Sequence, residues 1–333
     1  LMHFGLQTYG AYKIGFHYQF ILKLRDLETI KVGLLTIPRT MAIAMSQINL
    51  VIITIIASTL PTGSIAVYSY ANNLQAGPTG IIALPFALAV FPALSEAVAN
   101  KDLNSFIKNL SHTIAQILFL TIPFSVVLVL LRSQIVRVVF GRGQFGWEAT
   151  INTADTLALF ALSLFAQALI PLLGRAFYAL ENTKTPFIIA LISELLTIIF
   201  ALIFKNMLGV AGLALAFSIG AVINFVLLAI ALRAQTKTLS EHRIFSSFWK
   251  ISLAALFMSI VIQFAKYTIA KIVNHEKFWG ILVQGAVAGI LGLVVYGLLC
   301  YILKLPEFNQ LKDSFRRRWL RVRGIHIEEG IEL

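Results

Sequence analysis

The sequence is poor in charged residues and almost without cysteine. Asp, Glu, Lys and Arg make up 13% of its 333 residues, whereas a soluble domain carries about 25%. Because 58% of the residues are hydrophobic and the mean hydropathy is +0.84, a water-soluble fold could not cover its surface with polar groups. The one cysteine, Cys300, excludes an internal disulfide pair and a cysteine-based metal site. The composition therefore favours a lipid bilayer as the solvent.

Signatures of catalysis and targeting are also missing from the sequence. It has no HExxH, GxSxG or P-loop pattern and no paired intramembrane aspartate. The acidic or carbonyl filter motifs of a channel are absent as well. The chain opens at Leu1 with no secretory signal, and the lack of an initiator Met suggests that upstream sequence is missing. These absences disfavour an enzyme or a channel and leave a transporter as the leading expectation.

Long apolar runs dominate what is present. Stretches of about 20 apolar residues are long enough to cross a bilayer as helices. The second stretch contains Gly77, Pro78, Gly80, Pro85 and Pro92, which predicts a kinked helix. The sequence therefore predicts an all-α polytopic membrane protein with about eight transmembrane helices. These lie at 36–58, 64–95, 107–131, 153–179, 185–204, 208–232, 248–270 and 279–303.

The basic residues are distributed unevenly between the two sides of these spans. The net charge of +12 might suggest nucleic acid, but the basic residues lie between and beyond the apolar spans. If the N-terminal segment is cytoplasmic, 20 of the 27 Lys and Arg residues fall on the cytoplasmic side. The positive-inside rule then predicts a multi-pass protein of the cytoplasmic membrane with both ends cytoplasmic. We expect membrane lipids, and no nucleic acid, as partners.

Several short segments resemble one family of bacterial lipid exporters. Their order and spacing over about 200 residues are more specific than any one of them. The segments are 46–50 (SQINL), 70–74 (YANNL), 91–95 (FPALS), 140–145 (FGRGQF), 175–180 (RAFYAL) and 209–216 (GVAGLALA). In these segments the chain resembles the MurJ (MviN) lipid flippases of the MOP exporter superfamily.

The resemblance implies an architecture and a domain organisation. MOP exporters look like two six-helix lobes that face a central cavity, and MurJ-like members add two C-terminal helices. On that template, residues 1–35 are a cytoplasmic linker between lobes and 36–235 one six-helix lobe. Residues 236–304 are the two additional helices, and 305–333 are a basic cytoplasmic tail. The other lobe, expected as a partner, is absent from the sequence.

Amide side chains within the first two spans are the candidate lining of a substrate cavity. They are Gln47 and Asn49 in the first span and Asn72, Asn73 and Gln75 in the second. In the MurJ-like family an acidic-basic pair commonly occupies the positions of Asn72 and Asn73, and its Arg is thought to contact the diphosphate. Asn can donate hydrogen bonds to phosphate but brings no charge. The same amides could instead join neighbouring helices by hydrogen bonds.

Glu194 is the candidate group for ion or proton coupling. Some relatives have a sodium-binding Asp at the position of Ile53, and an apolar side chain cannot coordinate sodium. Glu194 lies in the middle of the fifth span, and Thr197 follows three residues later on the same helical face. An ionisable residue at this depth is costly and often marks an ion path. A protonated Glu bonded to a neighbouring helix is the alternative. No cofactor is expected beyond a monovalent cation or a proton.

Two arginines complete the candidate site. Arg39 and Arg175 lie near the cytoplasmic ends of their spans, where they could steer a diphosphate or extend to the lipid headgroups. The resemblance implies flipping of lipid II, the undecaprenyl-diphosphate-linked peptidoglycan precursor, across the inner membrane. Two alternatives stay open. The substrate could be another lipid-linked oligosaccharide, as for O-antigen exporters, or the chain could be a scaffold that does not transport.

Overall fold

A computed structural model describes residues 2–16, 27–141, 145–271 and 278–312; within α2, it leaves some side chains before Ala44 undescribed. This part of the chain is built from α-helices, which confirms the all-α class. The helices are α1 Met2–Lys13, α2 Leu27–Ser58, α3 Ser64–Pro78, α4 Leu84–Ala99, α5 Leu103–Leu130, α6 Arg132–Phe140, α7 Trp147–Ala161, α8 Leu164–Ala179, α9 Lys184–Leu208, α10 Val210–Thr236, α11 Glu241–Ala270 and α12 Phe278–Ile302.

Six helical segments of the described chain are long and apolar enough to cross a membrane. They are Ser64–Ala99, Leu103–Leu130, Lys184–Leu208, Val210–Thr236, Glu241–Ala270 and Phe278–Ile302. The predicted span 153–179 is bent by 47° between α7 and α8, and this pair gives a seventh span if it is counted as one. The predicted span 36–58 lies in α2, whose described apolar part is Ala44–Ser58. The count of eight spans therefore stays a prediction.

The predicted kink in the second span coincides with a change of helix type. Residues Thr79–Ala83, between α3 and α4, form a π-helical segment, and the amide of Leu84 donates to the carbonyl of Thr79. Pro78 ends α3 and Pro85 stands in the first turn of α4. Because proline lacks an amide hydrogen, α-helical bonding cannot continue regularly here. π-Helical segments occur frequently at functional sites.

The segment after α5 also differs from the sequence expectation. The stretch from Arg132, interpreted from the sequence as an external loop, contains the short helix α6. Residues 142–144 lie outside the described residues. At the opposite end of α5, the Asp102 carboxylate accepts a hydrogen bond of 3.0 Å from the Ser105 amide and caps the helix. Hydrogen bonding by the Ser105 side chain, and then by its amide, holds the pKa of Asp102 below its ordinary value.

Two buried hydrophobic clusters hold the helices together. One contains Phe106, Leu172 and Met258 and joins α4, α5, α8 and α11, together with residues of α10 and α12. The other contains Ile53 and Phe160 and joins α2, α3, α7, α9 and α10. The second cluster lies between the helices that carry most of the predicted site residues.

The last two helices pack against α5 and α6. The Tyr296 hydroxyl on α12 donates to the carbonyl of Phe119 on α5 at 2.7 Å. The Gln134 side-chain amide on α6 donates to Gln284 on α12 at 3.1 Å. Polar side chains buried in an apolar bundle are usually paired between helices in this way. The predicted basic tail lies outside the described residues beyond residue 312.

Candidate functional site

The centre of the candidate site is a polar pair between α2 and α9. Glu194 follows Lys184 by ten residues and precedes Leu208 by 14, which places it about 15 Å and about 21 Å from the two ends of α9. The side-chain amide of Asn49 on α2 donates a hydrogen bond to the Glu194 carboxylate. Asn49 is buried at 6% exposure. The structure thus joins two residues that the sequence assigned to separate roles.

The surroundings of this pair are short of polar partners. The buried Asn49 Oδ1 has no hydrogen-bond partner among the described residues. No ion pair to Glu194 is formed within the described part of the chain. The buried Tyr68 of α3 lies within electrostatic range of the carboxylate, and the sequence analysis had no signal for it. The described contacts of the Glu194 carboxylate are thus one neutral donor and no cation.

Thr197, the other candidate coupling residue, is directed to a different neighbour. Its hydroxyl donates to the Ser193 carbonyl at 2.8 Å, and it lies against Gly220 of α10, where a Cβ would collide with it. The described contacts of Thr197 therefore join α9 to α10, whereas those of Glu194 join α9 to α2. The buried Ser193 hydroxyl has no partner among the described residues.

Ile53, at the position of a sodium-binding Asp in some relatives, is packed among apolar side chains. Ile53 is 2% exposed and Ala201 is fully buried. Both belong to the hydrophobic cluster around Phe160. Neither offers an oxygen ligand, and the described residues contain no group of three or more His, Cys, Asp or Glu that could hold a metal ion.

The three amides of α3 differ in their exposure. Gln75 is buried and donates to the side-chain oxygen of Asn72 at 3.0 Å, whereas Asn73 is exposed. The Gln75 oxygen has no partner among the described residues. Gln75 lies about one turn, and Asn72 about two turns, before the π-helical segment. Asn73 is the amide of this set that a ligand could reach without displacing a neighbour.

The remaining predicted residues are not brought to this group by any described contact. Gln47 on α2 is exposed. Arg175 on α8 is partly exposed and donates to the Pro171 carbonyl of its own helix at 3.2 Å. The side chain of Arg39 lies outside the described residues. The structure therefore unites Asn49 with Glu194 and Asn72 with Gln75.

A cavity of about 1300 Å³ opens at the end of the bundle where α2 meets α3 and α9 meets α10. None of the predicted site residues lines it. Its polar lining includes Arg132, Glu148 and Asp155. The sequence analysis did not single out these residues, because Arg132 lies on α6 and the two carboxylates lie on α7, and their proximity depends on how the two helices pack.

Comparisons with known proteins identify the family. Residues 1–283 match the family model described as lipid II flippase MurJ. The probable lipid II flippase MurJ of Thermotoga maritima is 31% identical over 282 residues, or 83% of this chain and 53% of the relative. The corresponding protein of Rickettsia prowazekii is 29% identical over 300 residues, or 89% and 58%. The chain thus spans little more than half of the curated relatives it matches.

Solved structures agree on the fold. Lipid II flippase MurJ in an inward closed conformation matches with a TM-score of 0.66 and 29% identity, over 89% of this chain and 59% of that one. A MOP superfamily transporter from Pyrococcus furiosus matches with a TM-score of 0.53 and 17% identity, over 81% and 64%. The second likeness concerns the fold alone. With a family match over most of its length, this chain belongs to the lipid II flippase MurJ family.

Proposed function

We propose that this chain takes part in flipping lipid II across the bacterial cytoplasmic membrane by alternating access. The observation that carries the proposal is the continuous match of residues 1–283 to the lipid II flippase family. We place the six-helix lobe at residues 36–235 and the two additional helices at residues 236–304, with both chain ends cytoplasmic. The basic Lys and Arg distribution supports this orientation.

The physical task explains why a second lobe is needed. A lipid-linked diphosphate carries an anionic head that loses its hydration if it enters hydrocarbon unaided. A hydrated cavity between two lobes avoids that cost, and one lobe cannot enclose such a cavity. Because the chain spans 53% of its Thermotoga maritima relative, we propose that a second lobe completes the cavity. Its cationic groups would supply the charge that Asn73 lacks.

Glu194 supplies the coupling step in this proposal. Its carboxylate lies at mid-depth in α9 with Asn49 as its described donor. Protonation removes a charge from the interior of the lobe, whereas ionisation restores it. If the two access states differ in how they hydrate α9, then the proton stabilises one state over the other. That difference would couple proton movement to the conformational change.

The test is lipid II translocation in proteoliposomes. We expect the chain to flip lipid II when it is joined to or co-reconstituted with the N-terminal lobe of a MurJ relative, and not when reconstituted alone. The flipping rate is measured as the rate at which fluorescent lipid II moves to the inner leaflet and becomes inaccessible to a reagent outside the vesicles. Flipping by this chain alone would refute the two-lobe proposal. A fully folded two-lobe protein that never flips lipid II would instead favour a non-transporting scaffold.

One observation favours a second candidate substrate. Asn73 is exposed on α3 and is neutral where relatives commonly have Arg. Another lipid-linked oligosaccharide, with a different head, would then be the cargo. Competition between lipid II and a lipid-linked O-antigen unit in the same proteoliposomes distinguishes the two, because the preferred substrate suppresses flipping of the other.

A further inference from the structure

The large cavity at this end of the bundle, called the outer cavity below, has neither Asn49 nor Glu194 in its lining. Its walls come from the α2–α3 turn (61–64), the α9–α10 junction (208–211) and the helices α3, α6 and α7. Leu208 in its wall is 14 residues from Glu194, or about 21 Å along α9. At about 1300 Å³ it exceeds the ~300–1,000 Å³ of ordinary small-molecule pockets.

One wall of this cavity is a fixed aromatic platform. The Tyr70 ring is 36% exposed and stacks on Phe140 with centroids 4.6 Å apart. Phe145 meets the Tyr70 ring edge-on at 5.9 Å. Two of the family-like segments, at 70–74 and 140–145, therefore meet at this platform. Aromatic pairs of this geometry hold a ring in place, and the free surface of Tyr70 is left to the cavity.

A clamp holds the segment that carries Phe145. The Arg137 guanidinium donates to the Phe145 carbonyl at 3.0 Å and lies over the Trp147 ring at 6.0 Å. A side chain at Gly141 would collide with the Arg137 carbonyl. The platform is thus held from α6 by a cation and by close backbone contact, which limits the entropy that a ligand must remove on binding.

A polar stripe along α7 forms another part of the cavity lining. Glu148, Asn152 and Asp155 all line the cavity, and their spacing of four and three residues puts them on one face of α7. Arg132 on α6 forms an ion pair with Asp155 at 3.3 Å. Among the described lining residues, two carboxylates and one guanidinium leave an excess of negative charge, which disfavours a phosphate or diphosphate in this cavity.

We infer that the outer cavity binds the glycan head of the transported lipid and not its diphosphate. The C–H face of a pyranose ring is apolar and packs on the Tyr70 ring, whereas its hydroxyl and acetamido groups hydrogen-bond to the α7 stripe. Glu148, which forms no ion pair within the described part of the chain, also suits a peptide amine on that head. The inference rests on the proposed function, because it is the cargo that brings such a head to this end of the bundle.

Saturation-transfer NMR on the full chain in detergent micelles tests the inference directly. The probes are muramyl dipeptide, chitobiose and inorganic pyrophosphate. We expect saturation of the pyranose ring protons for the first two, because these protons touch Tyr70, and no displacement of either by pyrophosphate. Absence of pyranose saturation, or displacement by pyrophosphate at equal concentration, would overturn the inference.

Three variants localise the site. Tyr70→Ala should weaken chitobiose binding about tenfold or more, and Tyr70→Phe should retain it because the ring remains. Asn152→Ala should weaken it without touching the platform. Tyr267→Ala removes an exposed tyrosine of α11 and should have no effect. Equal binding by wild type, Asn152→Ala and Tyr70→Ala would also overturn the inference.

The transport assay separates this inference from the proposed function. If the two-lobe protein flips lipid II but the NMR experiment shows no glycan binding, the glycan site in the outer cavity is refuted and the flippase function stands. If the two-lobe protein binds the glycan at Tyr70 but flips no lipid II, the glycan site is kept and the proposed flippase function is lost. If Tyr70→Ala fails to fold, Asn152→Ala and Tyr70→Phe still decide the outcome.

Discussion

The side-chain amide of Asn49 donates a hydrogen bond to the carboxylate of Glu194, across 145 residues of sequence. It ties α2 to α9 in the interior of the helix bundle. Asn49 keeps an unpartnered oxygen among the described residues, so the pair is not a closed network. A buried network that is only partly satisfied costs stability, and such a cost is commonly retained where a site has a function.

The first prediction concerns the proton on Glu194. Glu194→Gln preserves the shape of the side chain and its hydrogen bond with Asn49 but cannot release a proton. If protonation couples to transport, we expect the flipping rate of the two-lobe protein to fall about tenfold or more, or ~1.4 kcal/mol in the barrier. We also expect the remaining rate to lose its response to an imposed pH gradient.

A matched control uses Glu96→Gln, which removes an exposed carboxylate from α4. It should leave both the rate and the pH response unchanged. Glu194→Gln protein with the wild-type rate and wild-type pH response would show that Glu194 is only a structural hydrogen-bonding group.

The second prediction concerns sodium. Ile53, where some relatives have a sodium-binding Asp, and Ala201 of the same cluster present buried hydrocarbon, and sodium requires oxygen ligands. We expect the flipping rate to stay the same when sodium is replaced by potassium or choline at constant ionic strength. A rate that rises and saturates with sodium would contradict this and would require a site outside these positions. Ile53→Val, which keeps the cluster apolar, serves as the control and should behave as wild type.

The sequence predicted the helices well and their mutual arrangement poorly. Long apolar runs identify helices because backbone groups must bond internally in hydrocarbon. The bend between α7 and α8 was missed, because the run from 153 to 179 is uninterrupted in hydropathy. The bend lies at the turn Leu162–Ser163. There the Ser163 hydroxyl donates a hydrogen bond of 2.9 Å to the Ser218 hydroxyl on α10.

In the candidate site, too, individual residues could be predicted from the sequence but their contacts could not. Glu194 stood out from sequence because a carboxyl group in an apolar run is rare. Its partner could not be predicted, since Asn49 lies on another helix and any of five amides had the right chemistry. The Tyr70–Phe140 platform could not be predicted either, although both segments had been noted, because their meeting depends on how α3 and α6 each pack against α7.

The third prediction tests the contact between α9 and α10. A Cβ on Gly220 would collide with the Thr197 hydroxyl, so Gly220→Ala should lower the free energy of unfolding by about 1–3 kcal/mol. The double variant with Thr197→Ala removes the colliding oxygen and should recover part of that loss. Gly174→Ala on α8, where nothing lies within 4 Å, is the control and should be neutral or stabilising. Unfolding in SDS–detergent mixtures measures all three, and equal loss for Gly220→Ala and Gly174→Ala would contradict the contact.

The last prediction concerns the residues after α12, where helical residues 306–312 return to the bundle. Glu307 there is 4% exposed. Its Oε1 accepts a hydrogen bond of 2.9 Å from the Ser247 hydroxyl on α11, and its Oε2 has no described partner. Ser247→Ala leaves this carboxylate with neither oxygen paired within the described structure, which should cost about 1–3 kcal/mol.

Because the cost falls on a short terminal segment, we expect the segment to detach before the bundle unfolds. Hydrogen exchange of the amides in 306–312 should therefore accelerate in Ser247→Ala, whereas α5 and α9 keep their wild-type protection. Ser246→Ala, at an exposed neighbouring position, should change nothing. In a Glu307→Gln background, Ser247→Ala should have a smaller effect, since no charge is then left unpaired. Equal exchange in Ser247→Ala and Ser246→Ala would show that Ser247 does not fasten the segment, and that the apolar contacts of Leu305 and Phe308 with the core hold it instead.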